Sequence, residues 1–205
     1  MNKIITVSRE FGSGGRELAR RLAESMGYKY YDKEIIRLMM NNSKFSADYI
    51  EGINLISNDD FPYTISRSFP LYSAHQKQAT QVLVLEQKII KELAKNGNCV
   101  FVGRCADVIL QEYQPFNIFV YADMDSKLSR CKQKAPEGEN LNDKQLIRKI
   151  KEIDKSRQKH SLLLGADSWG QKECYDLCVN TTNLVIKDII PSICEIAKIY
   201  FKEKE

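Results

Sequence analysis

The chain has 205 residues, 43% hydrophobic and 28% charged, which suits one globular domain with a substantial core and excludes a disordered or fibrous protein. A formal charge of +4 fits an anionic small-molecule ligand and argues against a dedicated nucleic-acid binder. No apolar run reaches the length of a membrane span and the first residues lack a leader pattern, so a cytoplasmic protein with no membrane partner is expected.

In chain order, Ile4-Ile5-Thr6-Val7 is an apolar, β-branched run that reads as a strand. Phe11-Gly12-Ser13-Gly14-Gly15 turns the chain, and an amphipathic helix leaves from Arg16 with Leu18, Leu22 and Met26 on one side. Strand, glycine-rich turn and helix together let backbone N–H groups converge on an anion, helped by the positive end of the helix dipole. A nucleotide phosphate is expected at this turn. Gly27 is expected to cap the helix, Tyr28–Tyr31 to form a second strand, and Asp32 to cap a helix running to Met40.

Between Ser43 and Gln78 the pattern weakens to a short helix over 47–56, a loop over 57–62 and a break at Pro70. Val82, Leu85, Ile89, Ile90 and Leu93 then recur at helical spacing up to Lys95. Cys99–Val102 reads as a buried strand ending in Gly103-Arg104, followed by a short helix over 106–111 and a strand over 116–121. Asp125 is expected to cap the next helix, 133–142 to be a polar turn, and 143–161 to be a long charged helix. A strand over 175–180 and a helix over 187–201, with Pro191 in its first turn, close the chain. Apolar strands alternating with helices imply a parallel sheet covered on both faces, with ligands at the carboxyl ends of the strands. The glycine turn, Arg104 and Asp123 would then share one edge.

The phosphate-binding pattern G-x-x-x-x-G-K-[ST] is only partly met. Gly15 holds the second glycine position, Glu10 replaces the first, Arg16 replaces the lysine and Glu17 the hydroxyl residue. Arginine can grip phosphate through two parallel N–H bonds. Glu17 has two readings, a carboxylate ligand for Mg2+ or a charge that repels phosphates. Lys151, Asp154 and Arg157 share a helix face, either as ligand groups or as a solvated charged stripe. Arg104 is a ligand group or pairs with Asp107. Asp107 and Asp123 are candidates for indirect Mg2+ contact, with helix capping the commoner role. Trp169 is expected to pack, the six cysteines to be free thiols, and His75 and His160 have no partner at metal spacing.

Six segments taken in order resemble the cytidylate kinase-like family, a branch of the P-loop nucleoside and nucleotide kinases: Ile5–Glu17, Tyr30–Ile36, Val100–Arg104, Asp154–Arg157, Ser168–Gly170 and Tyr175–Thr181. The resemblance implies an α/β three-layer P-loop NTPase fold: a five-stranded parallel sheet with helices on both faces, a small helical insertion and a lid. It implies a single kinase-like domain over 1–205, with a nucleoside-binding insertion at about 41–80 and an arginine-bearing lid at about 132–172. It implies transfer of the ATP γ-phosphate, with Mg2+, to a nucleoside monophosphate such as CMP or dCMP. Under it, Gly12, Ser13, Gly14, Gly15, Arg16 and Glu17 form the ATP-binding loop. Asp32, Arg104, Arg148 and Asp154 bind the acceptor, and Arg16, Arg104, Arg130 and Arg157 act on the transferring phosphate. No protein metal site is expected. The chain departs from true cytidylate kinases after Asp32, where Lys33-Glu34-Ile35-Ile36-Arg37 replaces T-G-x-x-Y-R. A non-catalytic nucleotide-binding or sensing module with a degenerate P-loop is the alternative.

Overall fold

The computed structural model describes residues 2–46, 50, 69–135 and 141–202, with the backbone alone described for 69–77. Its elements in order are β1 (Ile4–Arg9), α1 (Gly15–Met26), β2 (Lys29–Tyr31), α2 (Lys33–Asn41), α3 (Phe69–Ala94), β3 (Cys99–Val102), α4 (Ala106–Ile109), β4 (Phe116–Tyr121), α5 (Met124–Gln133), α6 (Asp143–Leu163), β5 (Leu177–Asn180) and α7 (Ile186–Lys202). The helix expected over 47–56, the loop over 57–62 and much of the turn over 133–142 fall largely outside the described residues.

The five strands form one parallel sheet in the order β2-β3-β1-β4-β5. Sequence order reverses direction at β1, so its carboxyl end opens into the crevice where open α/β sheets bind ligands. Successive strand residues point to opposite faces, which gives each strand two cores to fill. Ile5, Val7, Val100 and Val102 face α1 and α7, meeting Leu18 and Leu22 of the one and Ile190, Ile193 and Phe201 of the other. Ile4, Cys99 and Phe101 face α2 and α3, meeting Ile35, Met39, Ile89 and Ile90. The result is the expected three-layer α/β P-loop fold.

Several local expectations shift. Helix α3 begins at Phe69 rather than breaking at Pro70, because a proline in the first turn gives up an N–H that has no partner there. Asp123, not Asp125, caps α5, accepting from the Ser126 N–H at 2.8 Å. Strand β4 ends at Tyr121, so only two residues separate it from the helix. Helix α7 begins at Ile186, which puts Pro191 in its second turn and removes a bond to the Lys187 carbonyl. A 3-10 turn at Lys172–Cys174 delays β5 to Leu177. No helix among the described residues is long and apolar enough to cross a membrane.

Candidate functional site

The loop between β1 and α1 is packed from behind on three sides. A Cβ at Gly12 would lie 2.9 Å from the Cys131 Sγ and 3.0 Å from the Lys127 carbonyl, both on α5. A Cβ at Gly14 would lie 2.9 Å from Ile186 of α7. Gly12 and Gly14 both have positive φ, 78° and 83°, so these positions need glycine for torsion as well as space. Ser13 is fully buried, donates to the Glu10 carbonyl at 2.8 Å and, through its own carbonyl, accepts from the Thr181 hydroxyl at 2.7 Å. Its side chain therefore shapes the loop rather than lining it. The N–H groups of Gly12, Gly14, Gly15 and Arg16 take no acceptor among the described residues.

The loop opens on a cavity of about 1340 Å³. Among the described residues, nine lysine and arginine side chains line it against four carboxylates. The excess of five positive charges exceeds the net +4 of the whole chain, so the protein's basicity is concentrated here. Gly12, Gly14, Gly15, Arg16, Glu17, Asp32, Arg130 and Arg157 all line this space. Arg16 reaches across to the end of β2, where its Nε lies 2.7 Å from Asp32. Glu17 is held by Arg21 at 3.0 Å and Lys134 at 2.8 Å, and these cations keep its carboxyl below the usual range, the Lys134 hydrogen bond most of all. Arg130 donates to the Thr181 and Leu184 carbonyls at 2.5 and 3.3 Å, tying α5 to the chain that follows β5.

Three expected residues stand apart from the lining. Arg104 follows Gly103 in a turn where both, and Cys105 after them, have positive φ. Its guanidinium turns away to Glu86 of α3, at 3.0 Å, instead of to Asp107. The other Glu86 oxygen lies 2.8 Å from the His160 Nε2 of α6, and all three groups are buried or nearly so. Burial raises the Asp107 carboxyl. Asp154 sits behind the loop and accepts from the Phe11 N–H at 2.7 Å. Burial lifts its carboxyl to about 6, outweighing Phe11, Arg157 and Lys127, which all favour the charge. Arg148 is 82% exposed on α6, paired with Glu152 and outside the cavity. Lys151 is likewise exposed.

Arg9 was not among the expected residues. It ends β1 and its guanidinium lies so flat on Gly103 that a Cβ there would stand 1.7 Å from its Nη1. The Arg9 guanidinium has no hydrogen-bond or ion-pair partner among the described residues, although its own carbonyl accepts from Arg157 at 2.8 Å. Burial first, then repulsion from Arg157, Arg16 and Arg104, pushes the Arg9 guanidinium down to about 9, against a pull from Asp32. Burial likewise lowers Arg157, which bonds to Asp154 at 3.3 Å and lies over the Phe11 ring at 5.9 Å. Lys127, 6% exposed, closes the loop from α5 by pairing with Glu10 at 2.6 Å. The signal for Arg9 in the sequence is the one that marks Arg104, an arginine closing an apolar strand beside glycines. Trp169 packs edge-on against Phe119 at 5.5 Å, and none of the six cysteines forms a disulfide.

Solved structures of similar fold include an uncharacterised protein from Eubacterium ventriosum, with TM-score 0.69 and 23% identity over 97% of this chain and 99% of that one. They also include the shikimate kinase of Bacteroides thetaiotaomicron (TM-score 0.56, 11% identity, 97% and 99% covered) and that of Acinetobacter baumannii in complex with shikimate (0.50, 15%, 96% and 92%). At these identities the likeness shows the fold, that of the P-loop kinases. No curated protein matches the chain. The family model described as the cytidylate kinase-like family matches residues 4–183, from the first strand through the turn after β5. The chain belongs to the cytidylate kinase-like family.

Proposed function

We propose that this protein transfers the γ-phosphoryl group of ATP to a nucleoside monophosphate, CMP or dCMP by the family's name, or to a related small acceptor. The observation that carries this reading is the cationic Arg9 guanidinium, with no ion-pair partner among the described residues, at the mouth of a glycine loop whose amides take no acceptor among those residues. Leaving such a charge unpaired is costly, and a polyphosphate would offset the cost. Family membership and the P-loop kinase fold support phosphotransfer of the nucleotide kinase type.

In this reading the amides of Gly12 to Arg16, with Arg9 and Arg16, hold the donor phosphates. Arg157 and Arg130 face the transferring group, and Asp32 meets the acceptor at the end of β2. Arg104 and Asp154 act from behind, holding the surrounding elements in register. Residues 41–80 serve as the nucleoside-binding insertion and 132–172 as a lid that excludes water. Phosphoryl transfer asks a protein mainly for position and for cations around the moving group, and this cavity is rich in both. Magnesium, which the family implies, finds no hydroxyl at the position after Arg16, and Glu17 in its place is bound to Arg21 and Lys134. That pairing favours the second reading, a module that binds nucleotide without transferring phosphate.

Calorimetric titration of ATP into the native protein and Arg9→Ala tests the site. Loss of charged hydrogen bonds predicts roughly 10- to 150-fold weaker binding in the variant. Unchanged affinity would refute the assignment. A labelled-phosphate screen over nucleoside monophosphates then separates the two readings, since binding without transfer to any acceptor supports the module.

A further inference from the structure

Among the described residues the cavity is arranged to receive negative charge and offers no unpaired carboxylate to a positive ion. Each of the four carboxylates that line it, Glu10, Glu17, Asp32 and Asp143, already holds a lysine or arginine of the chain within 3.0 Å. Glu17 occupies the position from which a phosphate loop normally presents its hydroxyl to magnesium. A divalent ion at that carboxylate would have Lys134 and Arg21 beside it as like charges. No group of three histidine, cysteine or carboxylate side chains among the described residues is placed to hold a metal. Arg9, without an ion-pair partner among the described residues, supplies positive charge where the loop opens.

We infer that this loop binds its polyphosphate ligand without a divalent cation, the arginines and lysines of the cavity neutralising the charge that magnesium neutralises in an ordinary phosphate loop. The inference rests on the phosphate-loop reading above and adds to it the ionic form of the ligand. Free ATP carries two more negative charges than its magnesium complex, so a cavity whose described residues give a five-charge excess and no unpaired carboxylate favours the metal-free form.

The test is calorimetric titration of the full chain with ATP, and separately with inorganic triphosphate, in EDTA and in saturating magnesium chloride at matched ionic strength. Both probes are expected to bind in EDTA, about 3- to 10-fold more tightly than in magnesium. Equal affinities, within about threefold, also support the inference, because they show that the metal is dispensable. Tightening by magnesium beyond about threefold overturns it while leaving the phosphate loop in place. Failure of both probes to bind in either buffer overturns the phosphate-loop reading itself, and the inference with it.

Discussion

Glu86 is 1% exposed and bridges three elements, with Arg104 on one oxygen at 3.0 Å and His160 on the other at 2.8 Å. Glu86→Gln keeps the shape, since a glutamine oxygen can accept from Arg104 while its amide nitrogen faces the His160 Nε2. Only the charge is lost. Removing one member of a buried pair costs about 3–5 kcal/mol when the remaining charge is fully enclosed. Arg104 retains 12% of its side-chain exposure, which lowers the expected cost to about 2–4 kcal/mol. For a chain of this size that is a fall in Tm of about 4–16 °C. Urea unfolding of the native protein, Glu86→Gln, Arg104→Met and the double variant closes a cycle, with a coupling of about 1–3 kcal/mol expected for direct partners. A loss below about 1 kcal/mol in Glu86→Gln, or additive single effects, would show that the bridge is not what holds the Arg104 turn.

Gly103→Ala would place a Cβ 1.7 Å from the Arg9 Nη1 at a backbone φ of 67°. The expected result is a fold weakened by about 1–2 kcal/mol and a larger loss of triphosphate affinity, read by unfolding and calorimetry on the same variant. Intact affinity would mean that Arg9 need not rest on this glycine. Asp154, lifted by burial to about 6 from 3.8, makes the folded state bind more protons than the unfolded state between these values. Its contribution is present below about pH 4, declines as pH rises to 6 and is flat above, by an amount on the order of 2–3 kcal/mol. Paired carboxylates elsewhere contribute the opposite slope, so the readout is the difference in unfolding free energy between the native protein and Asp154→Asn from pH 4 to 7. Parallel profiles would mean that the Asp154 proton is not linked to folding.

The strands were legible because a sheet buried on both faces demands continuous apolar residues, and Cys99–Val102 and the run from Ile118 to Val120 meet that demand without reference to distant neighbours. The glycine loop was legible for a similar reason, since its torsions and close packing are written in residue type at fixed positions. What stayed hidden is pairing across elements. Glu86 lies within the apolar stripe Val82, Leu85, Ile89, and nothing local announces that Arg104 and His160 converge on it from two other elements. Arg104 therefore reads as a cavity residue when the turn through left-handed Gly103, Arg104 and Cys105 directs it elsewhere. Arg9 shows the reverse. Its position at the end of β1 is plain in the sequence, but its lack of an ion-pair partner among the described residues emerges only when Arg16 is seen to take Asp32 and Arg157 to take Asp154.

Strand β1 is bonded on both sides, to β3 and to β4, from Ile5 through Val7. The loop that follows it is thus anchored to the part of the molecule whose amide hydrogens can exchange only when the whole sheet comes apart. A ligand seated there would be felt as global stabilisation rather than as the quieting of one loop. At a hundredfold excess over its Kd the gain is about 2.7 kcal/mol, or about 5–11 °C in melting temperature. Thermal denaturation in the presence of a panel of anionic metabolites would therefore report occupancy of this site directly, before any acceptor is known.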